Sequence, residues 1–319
     1  MTTQTQSPAQ APKPSLEELL RTTDPARRRK DVLMRTLIAS AFVITMIPLI
    51  SLTWTVVSKG IGRLDGYFLL HSMRGVFGGM DAGGIYHAIV GTVEITLFAA
   101  LISVPIGLLT AIYLVEYGGG RPLAKLITFL VDVMTGIPSI VAGLFAYALF
   151  ALLLGPGAKM GVIGSVALSV LMIPVVVRSS EEMLRLVPNE LREASLALGV
   201  PRWLTIVKVV LRTSVAGLTT GVMLAIARVI GETAPLLLTV GVVDSINFNL
   251  FDGRMMTLPV YVYRQYAQGL VACSPGDTAC VADITLQRAW AAALTLFLIV
   301  MLLNLIGRLV TRFFAPKIR

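Results

Sequence analysis

Residues 215–243 read VAGLTTGVMLAIARVIGETAPLLLTVGVV, and within them only Arg228 and Glu232 carry charge. As a helix rising ~1.5 Å per residue, this run exceeds the ~30 Å of a bilayer's hydrocarbon layer. Five more apolar runs lie at 32–57, 85–115, 123–154, 161–177 and 289–310. Hydrophobic residues make up 55% of the 319, charged residues only 14%, and the mean hydropathy is +0.80. Such a chain takes the bilayer as its solvent. The expected fold is all-α, a polytopic membrane protein with about six transmembrane helices over 31–314. Residues 1–30, rich in Pro, Gln, Ser and Thr, read as a disordered tail without a signal peptide's plan.

The surplus of 27 Lys+Arg over 18 Asp+Glu lies between and outside the apolar runs. It therefore points to topology rather than to nucleic acid. Placing the amino terminus inside puts 19 basic residues on that side and seven outside, with Arg228 alone deep in a span. The positive-inside rule then makes both termini cytoplasmic, the 178–214 loop cytoplasmic and the 244–288 loop extracytoplasmic. Cys273 and Cys280, the only cysteines, both fall in that outer loop. A short disulfide and two free thiols are both open readings, and an oxidising compartment favours the bridge.

Several chemistries are excluded by what is missing. The chain has no GxxxxGK followed by Ser or Thr, no HExxH and no GxSxG, so no nucleotide loop, zinc-protease site or serine elbow of its own. No metal site is expected. Any ATP and Mg must be bound by partner subunits, and the task left to the chain is transport.

The loop 178–214, RSSEEMLRLVPNELREASLALGVPRWLTIVKVVLRTS, is too polar to span. Pro188-Asn189-Glu190 starts a helix, and Gly199-Val200-Pro201 stops it. A helix, a glycine turn and a second helix make a rigid knob that fits a groove on another protein. An amphipathic helix lying in the membrane interface is the other reading.

Glu193-Ala194-Ser195, then Gly199, then Val209-Val210-Leu211 resemble the EAA motif of ABC importer permeases. That resemblance implies a coupling helix, with Glu193, Ala194, Ser195, Gly199, Pro201 and Trp203 at an ATPase-docking surface. Where the motif closes on proline, this chain has Arg212, which leaves the entry into the fifth span in question. Further on, Ala225-Ile226-Ala227-Arg228-Val229-Ile230-Gly231-Glu232-Thr233-Ala234-Pro235-Leu236 resembles the PstA type of phosphate ABC importer permease. So do Gly83-Gly84-Ile85 with Gly91-Thr92, Asp132-Val133 with Gly136-Ile137-Pro138-Ser139, and Arg178-Ser179-Ser180-Glu181-Glu182. Together these cover most of residues 83–260.

The resemblance implies a permease subunit of an ATP-driven phosphate importer in the bacterial cytoplasmic (inner) membrane. Its implied partners are a second, PstC-type permease, two PstB-type cytoplasmic ATPase subunits and a PstS-type extracytoplasmic binding protein. Chemistry supports the assignment at Arg228. A charged arginine near mid-bilayer costs ~2.5–3.5 kcal/mol, so it faces a polar pathway or a partner. Glu232, four residues on, sits on the same helical face if the helix continues. The two could simply neutralise each other. Alternatively the guanidinium fork grips phosphate oxygens while Glu232 holds the fork or accepts from a protonated phosphate. Thr233 adjoins this pair, and Arg178, at the inner end of the fourth span, could receive the departing anion or merely cap its helix. Other oxyanions such as phosphonate, sulfate or molybdate, an ATP-independent secondary transporter, and an assembly protein without substrate are the alternatives. Finally, Gly136-Ile137-Pro138 should bend the third span.

Overall fold

A computed structural model describes residues 25–276 and 278–314. Helix α1 is described over Pro25–Gly60. It begins inside the stretch expected to be disordered, and the remainder of that tail, 1–24, lies outside the described residues. Up to Thr55, α1 belongs to one compact unit and everything from Val56 onward to a second. Within the first unit the hydroxyls of Thr36, Thr45 and Thr53 bond to carbonyls four residues earlier, which keeps these groups from facing hydrocarbon unpaired.

In the second unit the helices follow in order: α2 Gly66–Leu70, α3 Tyr86–Ile112, α4 Pro122–Thr135, α5 Ser139–Leu154 and α6 Gly161–Arg185. Then come α7 Asn189–Ala197, α8 Arg202–Thr205, α9 Leu211–Val229, α10 Ala234–Thr239, α11 Leu258–Gln268 and α12 Ile284–Phe314. Wide π turns at Tyr113–Tyr117 and Ile206–Val210 extend α3 and join α8 to α9. Among the described residues five helices are long and apolar enough to cross a membrane, or up to six if α4 and α5 count as one span. The chain is a multi-pass membrane protein.

Two boundaries differ from the sequence expectation, and the expected bend of the third span is sharp. The 123–154 run is not one straight span: α4 and α5 meet at 107° across Gly136-Ile137-Pro138. At ~1.5 Å per residue the halves are about 21 and 24 Å long, each short of the hydrocarbon thickness. The fourth span runs on to Arg185 and the fifth begins at Arg202, so the polar loop between them shrinks to 186–201. The 244–288 loop holds α11 and the first turn of α12.

Small residues let the helices approach. α3 and α6 run parallel, with Ser165 donating to the Ile95 carbonyl at 3.0 Å and Ser103 to that of Ser169 at 3.4 Å. A Cβ on Gly107 would sit 2.7 Å from Val176. α9 runs antiparallel to α6, with Gly217 against Met183 and Gly221 against Ser179, and Gly307 of α12 meets Met223 of α9. Such contacts replace the hydrophobic drive that lipid does not supply between helices. The buried core, including Ile95, Ala99, Leu168, Met172, Val176, Ala225 and Val229, lies along these three seams.

Candidate functional site

The register of α9 on α6 fixes the depth of Arg228. With Gly217 opposite Met183 and Gly221 opposite Ser179, two turns further Arg228 stands level with about Met172. That is roughly 17–20 Å from either end of the 25-residue α6. Arg228 is exposed on the surface of the chain, and among the described residues it has neither a hydrogen bond nor an ion pair. It shares one helical face with exposed Thr220 and Leu224.

Glu232 is not on the same helical face, which corrects the sequence expectation. The helix stops at Val229, and the Glu232 N–H returns to the Val229 carbonyl at 3.1 Å. Pro235 starts the next helix inside its first turn. Glu232 and Thr233 are half-buried in this break, and no ion pair links Glu232 to Arg228. The Thr233 carbonyl accepts from the Leu237 N–H at 3.0 Å. α10 is wedged in place: a Cβ on Gly143 of α5 would lie 2.6 Å from Pro235, and Gly164 of α6 faces Leu236 and Val240. The bend of α4–α5 therefore supports the break of α9–α10.

Arg178 has a different fate. It binds Asp132 of α4 and Glu181 at 2.8 Å, and Glu181 also takes Arg185 at 2.7 Å. Both guanidinium arms are engaged with carboxylates, so Arg178 ties α4 to α6 instead of awaiting an anion. The intramembrane Asp132 finds its partner here as well. Glu94, on α3, is half-buried with Oε2 unpartnered.

At the far end of α6 the 186–201 segment forms the expected hairpin knob. Gly199 closes α7 at φ +79°, a conformation that glycine adopts freely. The Ser195 and Thr205 hydroxyls meet at 2.9 Å and lock α7 to α8. Ser195 is thus buried, not displayed for docking as expected from the motif. Glu193, Ala194, Gly199, Pro201 and Trp203 are exposed, together with Leu198 at 84%. The knob therefore has an anchored side and an open apolar side.

Its anchor could not be read from the sequence. Buried Glu116, in the π turn after α3, accepts from Arg192 at 3.0 Å, and Arg192 also reaches the Leu184 carbonyl at 2.9 Å. Arg202 donates to the Glu116 carbonyl and lies 5.0 Å over the Tyr117 ring. A lone acid at the end of an apolar run was the available signal, but its partner is 76 positions away. Arg212, in place of the motif's proline, is exposed on a helix that passes unbroken from the π turn into α9.

At the opposite end, Cys273 and Cys280 form a disulfide with their Cα atoms 5.7 Å apart. Cys280 bridges to Met80, and the Val281 N–H bonds to the Gly79 carbonyl at 2.8 Å.

Residues 103–319 match the family described as "Binding-protein-dependent transport system inner membrane component". The chain is 44% identical over 295 residues to "Phosphate transport system permease protein PstA 1" of Mycobacterium tuberculosis, covering 92% of each chain. To "Phosphate transport system permease protein PstA" of Mycobacterium leprae it is 44% identical over 292 residues, 91% of each. To the protein of that name from Pasteurella multocida it is 39% identical over 293 residues, 91% of this chain and 96% of the other. Among solved structures, a bacterial alginate ABC transporter superposes with a TM-score of 0.56 at 12% identity, covering 90% of this chain and 96% of that one. The inward-facing MetNI methionine ABC transporter gives 0.54 at 19%, covering 73% and 95%. These two likenesses establish the fold.

Proposed function

Because the chain belongs to the family of binding-protein-dependent transport system inner membrane components, and within it to the PstA permeases, we propose that it carries inorganic phosphate across the bacterial cytoplasmic membrane. It is a transport subunit and not an enzyme. Work comes from two PstB-type ATPase subunits, which bind ATP and Mg, and phosphate is delivered by a PstS-type binding protein. A PstC-type permease completes the pore, against the face of α9 that carries Arg228. Both termini and the 186–201 knob are cytoplasmic, and the disulfide loop is extracytoplasmic.

One observation carries this reading. At mid-depth the chain shows a charged guanidinium with no counter-charge among the described residues. Against lipid that costs ~2.5–3.5 kcal/mol; against a wet pore closed by a second permease it is an anion site. The fork offers paired donors to two phosphate oxygens, and charge-assisted bonds of this kind are the strong ones. Glu232, held in the break one turn away, can accept from a protonated phosphate, which sulfate cannot offer at neutral pH. The break frees backbone from helical bonding, which is tolerated at depth only where protein or water satisfies it. On the knob, Leu198 and Trp203 are apolar anchors for a groove on the ATPase, and the Glu116–Arg192 clamp passes its movement to α3.

The test is Arg228→Gln, measured as uptake of radiolabelled phosphate by cells in which the assembled complex has been quantified. Uptake is expected to fall roughly a hundredfold, matching the ~3 kcal/mol of a charged hydrogen-bonded pair, with assembly intact. Wild-type uptake would remove Arg228 from the pathway, and uptake that survives disabling the ATPase would refute the ATP-driven reading.

A further inference from the structure

A second cluster of cations lies at the disulfide end, far from Arg228. A cavity of about 570 Å³ is lined there by Arg74, Asp244, Arg264, Gln265, Gln268 and Arg288, with the 73–78 turn as one wall. Arg288 is 2% exposed. Its Nε and Nη2 donate to the carbonyls of Ala82 and Met80 at 2.6–3.2 Å, while Nη1 bonds to nothing among the described residues. No carboxylate pairs with it there. Carbonyl acceptors take the Nε and Nη2 hydrogens but leave the Nη1 hydrogens open and a full positive charge in a low-dielectric wall, which a bound anion would offset.

Gln265 supplies an independent sign. It is 4% exposed, and its Oε1 is buried without a partner although the residue lines the cavity. Buried amides are almost always hydrogen-bonded, so an orphan beside an open cavity marks the place of a polar occupant. Arg264 is held over the cavity by Asp244 at 2.9 Å, and the Arg74 side chain has no partner among the described residues. Three guanidinium groups against one carboxylate leave a surplus of positive charge.

The wall is fixed rather than loose. The carbonyls that hold Arg288 belong to the segment that Cys280 bridges at Met80, and a Cβ on Gly79 could not fit against the Cys280 sulfur. The disulfide and the buried arginine thus brace one side of the cavity, and α11 forms the other with Arg264, Gln265 and Gln268.

We propose that this cavity is a tetrahedral-oxyanion site, in which Arg74, Arg264, Arg288 and Gln265 hold phosphate on the extracytoplasmic side before it descends to Arg228. The site follows from its own residues; that its occupant is phosphate rests on the import reading above. Arg264 and Arg288 donate to the anion's oxygens, and the Gln265 amide oxygen accepts a hydrogen bond from its hydroxyl. Asp244 accepts from a protonated anion and repels a fully ionised one, so the site favours hydrogen phosphate over sulfate.

The experiment is equilibrium binding of radiolabelled inorganic phosphate to the whole transporter in lipid nanodiscs, without nucleotide and without binding protein. Arg228→Gln is expected to retain a saturable phosphate class that the double variant Arg264→Gln, Gln265→Leu loses by about tenfold in affinity. If that double variant fails to assemble, Arg74→Gln, a change at an exposed turn, is expected to weaken the same class by about threefold. Binding that is unchanged in the variants overturns the site. So does a variant that impairs only association of the binding protein, since the cavity would then seat an acidic side chain of that partner. Sulfate that displaces phosphate equally would overturn the selectivity assigned to Asp244 and Gln265, whereas vesicles that take up sulfate and not phosphate would bring down the import reading instead.

Discussion

Arg178 and Arg228 stand on neighbouring antiparallel helices of the same bundle, yet one is saturated and the other unmatched. Arg178 grips Asp132 and Glu181, both supplied by this chain. Arg228 has no counter-charge among the described residues. A charge whose partner lies in its own chain holds the bundle together. One that is left open at mid-depth must be answered from beyond the described residues. The contrast separates architecture from transport without reference to either residue's type.

The largest effect should come from exchanging each arginine for glutamine. Arg228→Gln removes transport by the factor given above while the melting temperature of the complex holds. Arg178→Gln is expected to do the reverse: about 1–2 kcal/mol of stability lost, discounted because both Arg178 and Asp132 reach solvent, with uptake per assembled complex nearly kept. If Arg178→Gln were the variant that lost transport at full stability, the contrast would break. Next in size is the open side of the knob. Leu198→Glu, placing a charge where 84% of a leucine is exposed, should cut ATP-driven uptake about tenfold without unfolding the chain. Measured ATP hydrolysis in the same complex shows whether coupling has been lost. The smallest effect is expected at the knob's anchored side, where Ser195→Ala removes the hydroxyl contact between α7 and α8, leaves Thr205 only its bond to the Pro201 carbonyl and costs about 1 kcal/mol, read as a lowered melting temperature with uptake retained.

Much of the fold was legible because hydropathy is a strong local signal. The spans, the bend at Gly136-Ile137-Pro138 and the helix-turn-helix at Gly199 all follow from residues adjacent in sequence. The misreadings share a cause as well. The 215–243 run is apolar throughout, so its break at Ile230–Thr233 is invisible to hydropathy, and the Arg228–Glu232 pair was inferred from a helix that ends between them. Gly231 followed by Pro235 was the available sign. Ser195 was assigned outward from the motif, but its facing direction depends on Thr205 ten residues later. Pairings over long separations, Arg192 with Glu116 or Arg288 with the Met80 and Ala82 carbonyls, depend on how the bundle closes and leave no local trace. For that reason the cations of the disulfide end read only as outside charges.

The most direct test of an open guanidinium in a phosphate pathway uses Leu224→Cys, one turn from Arg228 on the same exposed stripe. In the assembled transporter, a charged, water-soluble thiol reagent is expected to modify this cysteine, and inorganic phosphate to slow the reaction only while Arg228 is present. A cysteine that no aqueous reagent reaches, or one that phosphate protects equally in the Arg228→Gln background, would contradict it.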